Sequence, residues 1–215
     1  MFDLLGKELR LAAHPSTYIF IWMGALALIP AYPYGVVFFF GMLGIFQSIM
    51  YARETRDIYF TALLPVRKRD AVKAKLLLAA FVQLVQLLLS VPFAFLRTLY
   101  LPEGNPVGIE ANLAFYGFGL MIYGAFNLVF FTRFFQTAYK AGVAFLTALV
   151  PAVLGIFAME AAVHFPGMAW LDGVSPGELA RQVPILLAGG AVYAGTWFWA
   201  YRAASRRFES LFKNF

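Results

Sequence analysis

The chain has 215 residues, of which 62% are hydrophobic and 13% charged, with seventeen Lys and Arg against eleven Asp and Glu. Soluble globular proteins are nearer half apolar and a quarter charged, so this composition, with a mean hydropathy of +0.74, excludes a soluble domain. It leaves an all-α integral membrane protein without cysteine, and so without a disulfide framework or a thiolate ligand or nucleophile.

The spacing in residues 2–14 predicts a helix lying on the membrane. Asp3, Lys7, Arg10 and His14 fall on one face, with Phe2, Leu5, Leu9 and Ala12 opposite, the pattern of an interfacial amphipathic helix. The segment lacks the order of regions of a signal peptide. The first span, Thr17 to Ala31, is short and followed by Pro30 and Pro33. It reads as a tilted helix beginning near Pro15 or as a re-entrant element. A tight hairpin at Ala31–Pro33 leads to a second span, Tyr34 to Ala52.

Residues 53–75 then form a charged island, RETRDIYFTALLPVRKRDAVKAK, holding seven of the seventeen Lys and Arg. Such a density of charge between two hydrocarbon segments must lie outside the bilayer. The third span runs from about Leu76 to Leu99, with Pro92 expected to kink it. A polar loop, Leu101 to Asn112, leads to a fourth span, Leu113 to Phe131. The fifth span is about Ala141 to Val163. A Gly- and Pro-rich loop, His164 to Gln182, precedes the sixth, Val183 to Tyr201. The tail, 202–215, reads as a second surface helix, its stripe continuing through Phe208, Leu211 and Phe215. At about 20 residues per span, six spans fill the chain as one transmembrane unit.

Lys and Arg divide fifteen to two between the two sides. That places both termini and the island in the cytoplasm. Topology also explains the basic charge better than nucleic-acid binding does.

Ionisable groups inside a bilayer are costly and mark candidate chemistry. Glu160, with His164 one turn on, could relay protons or contact a polar substrate; the alternative is an interfacial pair that reaches water. Gln83, Gln86 and Asn127 could line a path or bond across helices. There is no G-x-x-x-x-G-K-[ST], no H-E-x-x-H and no G-x-S-x-G. The chain therefore reads as neither an ATP-binding protein nor an enzyme, with no metal and no cofactor of its own.

The island resembles the corresponding region of the ABC-2 permease family, the membrane subunits of type-2 ABC exporters. Members carry a Lys-Asp/Glu pair in a short segment before the first span, here LLGKELRLAAHP. After the second span they carry a mixed-charge helix and a proline, then spaced Arg, Val and Lys; here Ala62-Leu63-Leu64-Pro65 is followed by Arg67, Val72 and Lys75. The resemblance implies two six-span subunits in a bacterial cytoplasmic membrane, each docked on a cytoplasmic ATPase that holds ATP and Mg²⁺. The partner subunit would be a second copy or a homologue, with lipid around both. The helix before Pro65 would be the coupling helix. Arg53, Glu54, Arg56 and Asp57 give it a mixed-charge start, Ile58, Tyr59, Phe60, Leu63 and Leu64 an apolar anchor, and Pro65 and Arg67 open the next helix. The cargo expected is amphipathic or hydrophobic, a peptide or a lipid-like molecule. The alternative is a substrate-capture subunit of a vitamin uptake transporter, in which the island would be only a topology signal.

Overall fold

A computed structural model of the chain describes residues 2–63, 66–100 and 104–211, and among these it is helix and turn with no strand. Helix α1, Phe2–Lys7, continues as a π-helical stretch, Glu8–Ala12. Helix α2, Pro15–Ile21, follows, with His14 accepting a hydrogen bond from the Ser16 amide at its N-cap and Pro15 in the first turn. Proline suits that position, where its missing N–H would have no intrahelical partner. The axis turns by 98° between these two segments, so α1 lies across the line of the span that it precedes.

The short first span is lengthened by its own winding. After Ile21 the chain tightens into a 3₁₀ helix, Trp22–Leu28. With seven residues at about 1.5 Å and seven at about 2.0 Å, the segment reaches about 25 Å, close to the hydrocarbon thickness of about 30 Å. A turn with Ala31 in the left-handed region (φ 54°) leads to α3, Val36–Glu54.

Next come α4, Asp57–Leu63, α5, Lys68–Tyr100, α6, Leu113–Phe134, and α7, Ala141–Ala162. A 3₁₀ turn at Ala169–Leu171 precedes α8, Pro176–Leu211. Five helices are long and apolar enough to cross a membrane, six if the bent first pair counts as one span.

Two elements differ from the sequence expectation. Helix α5 begins at Lys68 rather than Leu76, and α8 runs unbroken for 36 residues instead of ending in a separate surface helix. At about 1.5 Å per residue they are about 50 and 54 Å long, so each extends beyond a bilayer. Both project at the end that carries most of the Lys and Arg, where Arg69 Nε meets Glu209 Oε1 at 2.6 Å. Helical spacing simply continues across the change from apolar to charged composition.

The core is built on α6, which is apolar on all sides. Phe126, Phe130 and Phe134 stack along it. Against α8 the backbones meet through glycine: a Cβ on Gly189 would lie 2.2 Å from the Gly117 carbonyl oxygen, and one on Gly117 2.7 Å from that of Ile185. Lipid offers helices no hydrophobic drive to associate, so close backbone packing through small residues supplies the contact.

Candidate functional site

The island folds as an elbow. After α3 the chain reverses at Arg56, whose φ is 54°, and enters the seven-residue α4. The Asp57 carboxylate opens that helix, where the backbone dipole favours negative charge. It also takes Lys7 Nζ at 2.7 Å and Lys75 Nζ at 2.8 Å. Glu8 completes the cluster, 2.6 Å from Lys75 and 3.1 Å from Lys7, while Lys7 also donates to Thr61 Oγ1 at 2.8 Å. Two cations and two anions therefore tie three elements together: α1 with its π-helical extension, α4, and the projecting start of α5.

The cluster is deep. Glu8 is 1% exposed and Lys75 4%. Burial alone raises the Asp57 carboxyl, but the charge of Lys75 and the hydrogen bonds from Lys7 and Lys75 outweigh it and hold the group below its ordinary value. Burial lowers Lys7, and its bonds to Asp57 and Glu8 more than offset this, so its ammonium is held above the ordinary value. Both shifts favour the charged forms, as in a paired site rather than an isolated buried charge.

The opposite side of α4 is bare. Phe60 is 63% exposed, Leu63 85% and Tyr59 48%. Ile58, expected among the outward anchors, turns inward at 4% exposure and faces Ala71, Phe135 and Phe208 across a small gap. Asp57 likewise points into the cluster, so neither is a surface residue. Arg53 lies over the Tyr139 ring, 5.3 Å from its centroid, and near Glu54 (3.9 Å). Arg56 and Arg67 are exposed. Leu64 and Pro65 lie outside the described residues.

The polar residues within the spans are sealed by one another. Gln83 and Asn127 exchange two amide bonds of 3.0 and 2.8 Å, and Tyr193 donates to Gln83 at 2.8 Å. Gln86 donates to the carbonyls of Phe20 and Val37 at 3.0 Å each and accepts from the Tyr123 hydroxyl. All three amide side chains are fully buried and join helices.

Glu160 and His164 part company. The Glu160 carboxylate accepts from the amides of Gly35 (2.7 Å) and Ile109 (3.1 Å), whereas His164 Nε2 lies 3.4 Å from the Val107 carbonyl oxygen. They pin loops at the far end of the molecule. Nearby, Arg97 is paired with Glu110 at 3.1 Å, donates to the Gly104 carbonyl at 2.8 Å and lies over the Tyr34 ring. Among the described residues no three His, Asp or Glu side chains converge as metal ligands would.

Sequence reasoning missed Glu8 and placed Lys7 on a solvated face. A signal was present, since the Lys7-Glu8 pair and Lys75 belong to the two stretches that carry the family resemblance, and the fold brings those stretches into direct contact.

A helical membrane protein with a charge-clamped, apolar-faced elbow at its basic end is the class that fold and site define. Its residues 3–198 match the ABC-2 family transporter protein family. The chain therefore belongs to that family, as a membrane-spanning permease component of an ABC transporter. No curated protein and no solved structure matches it.

Proposed function

We propose that α4 is the coupling helix of this permease, and that Tyr59, Phe60 and Leu63 seat in a groove of a cytoplasmic ATPase. The observation that carries this reading is the division of α4 into two faces. One is clamped by Lys7, Glu8 and Lys75, and the other presents three large apolar side chains at the charged end of the molecule. A helix clamped in this way moves as a rigid piece with α1 and α5. ATP-driven closure of the partner would then tilt the third span and the N-terminal segment together. ATP and Mg²⁺ belong to the partner.

In this reading both termini are cytoplasmic and the protein works in a bacterial cytoplasmic membrane as a dimer with a second copy or a homologue. The cargo is amphipathic or hydrophobic, a peptide or a lipid-like molecule, and it is exported. Gln83, Gln86 and Asn127 act as ties within each subunit, and Glu160 anchors the outer loops, which leaves the pathway to the face between subunits.

The test is purification of the tagged protein in detergent after expression from its native operon. Recovery of an ATP-binding protein at about one per permease is expected. Recovery of the permease alone, with a bound small molecule, would replace this reading with substrate capture.

A further inference from the structure

The turn between α6 and α7 carries a site that ATPase docking does not use. Ala138 adopts φ 51°, and the Thr137 hydroxyl accepts the amides of Tyr139 and Lys140 at 3.2 and 3.0 Å. This turn frames an open recess of about 150 Å³ walled by Arg133, Gln136, Thr137, Lys140, Val143 and Thr147. Two cations line it and no carboxylate does; the Thr147 hydroxyl gives its proton to the Val143 and Ala144 carbonyls, so Arg133 and Lys140 carry the preference for an anion. A water occupies about 30 Å³ of liquid, and a recess of this size accommodates a phosphodiester.

The surroundings select the source of that anion. Val143, Leu146 and Val150, at helical spacing on α7, are 62%, 67% and 60% exposed. They form an apolar stripe that starts in the recess and runs along the spanning helix. A free phosphate would use only the cations, and an apolar face of a second copy would use only the stripe. A phospholipid uses both.

We propose that the α6–α7 turn binds an anionic phospholipid, its phosphate between Arg133 and Lys140 and an acyl chain along Val143, Leu146 and Val150. Basic pockets between spans at the membrane surface hold anionic headgroups in this way. The bound lipid would sit one side chain from the elbow, because Arg53 at the end of α3 packs on Tyr139 of the same turn. The assignment does not depend on the ATPase reading, since lipid binding is measured on the permease alone.

Native mass spectrometry of the detergent-purified protein, titrated with phosphatidylglycerol or phosphatidylcholine of the same chains, tests it. Each cation contributes about fivefold to affinity for an anionic headgroup. Lys140→Gln is expected to weaken phosphatidylglycerol about fivefold, and Arg133→Gln with Lys140→Gln about twenty- to thirtyfold. Phosphatidylcholine, whose choline cation offsets the charge of its phosphate, should be weakened less than phosphatidylglycerol, and an unchanged unfolding temperature in detergent reports that the variants are folded. A charge-matched control, Arg10→Gln with Arg206→Gln, should keep full phosphatidylglycerol affinity. Unchanged affinity in the site variants, or an equal loss in the control, would overturn the site. Complete displacement of the lipid by inorganic phosphate would overturn the lipid assignment.

Discussion

The two ends of the bundle both bury ion pairs, yet they use them differently. At the acidic end, Arg97 and Glu110 are closed off by the Gly104 carbonyl and the Tyr34 ring. The neighbouring Glu160 is consumed by two backbone amides, so these bonds fasten loops to helices. At the basic end, Lys7, Glu8, Asp57 and Lys75 fasten a short helix whose other face leaves Phe60 and Leu63 largely exposed. A buried charge alone does not mark function, because it has to be paired wherever it occurs. On the docking reading, the bare apolar face that the pairs support distinguishes a mount from a lock.

The largest expected effect separates the two. Removing one partner of a buried pair costs about 3–5 kcal/mol because the other charge is stranded. Lys75→Ala and Arg97→Ala are both expected to lower stability by that amount, read as thermal unfolding in detergent. Only Lys75→Ala is expected also to reduce recovery of the ATPase; equal recovery with both would erase the distinction between the ends. Next in size is Gly108→Ala at the acidic end, where a new Cβ would lie 1.7 Å from Glu160 Oε2. Relieving this clash moves the Glu160 carboxylate off the buried amides of Gly35 and Ile109, which costs about 1–3 kcal/mol and should leave ATPase recovery unchanged.

A smaller effect is the pH profile of the basic-end cluster. Asp57 is held below its ordinary value of 3.8, so its contribution is fully present above that value and is lost as pH falls through the folded one. Lys7 is held above its ordinary value of 10.5, so its contribution is fully present below that and fades as pH rises further. The contributions of Asp57 and Lys7 should therefore both be fully present from about pH 4 to 10.5. Asp57→Asn and Lys7→Gln should each flatten one edge of that plateau.

The helices were legible because long apolar runs are a strong signal. The elbow's geometry was less so. Asp3, Lys7, Arg10 and His14 share a stripe only if residues 2–14 keep the α-helical period. The π-helical turn at Glu8–Ala12 breaks that period, and Glu8 meets Lys75, 67 residues away, which no local pattern encodes. Ile58 looked like a surface anchor for the same reason, since in a seven-residue helix composition alone does not say which side faces Phe135 and Phe208. The continuous α8 was hidden by its change of composition near Arg202, which alters the solvent but not the helix.

The decisive measurement is ATPase co-purification with Phe60→Asp and with Leu63→Asp, each expressed from the native operon beside the unmodified permease. Both side chains are exposed, so both variants should insert and unfold like the parent. If α4 is the mount, each should lose most of the ATPase. Full retention of the ATPase by both, with normal insertion, would contradict the docking role of this helix.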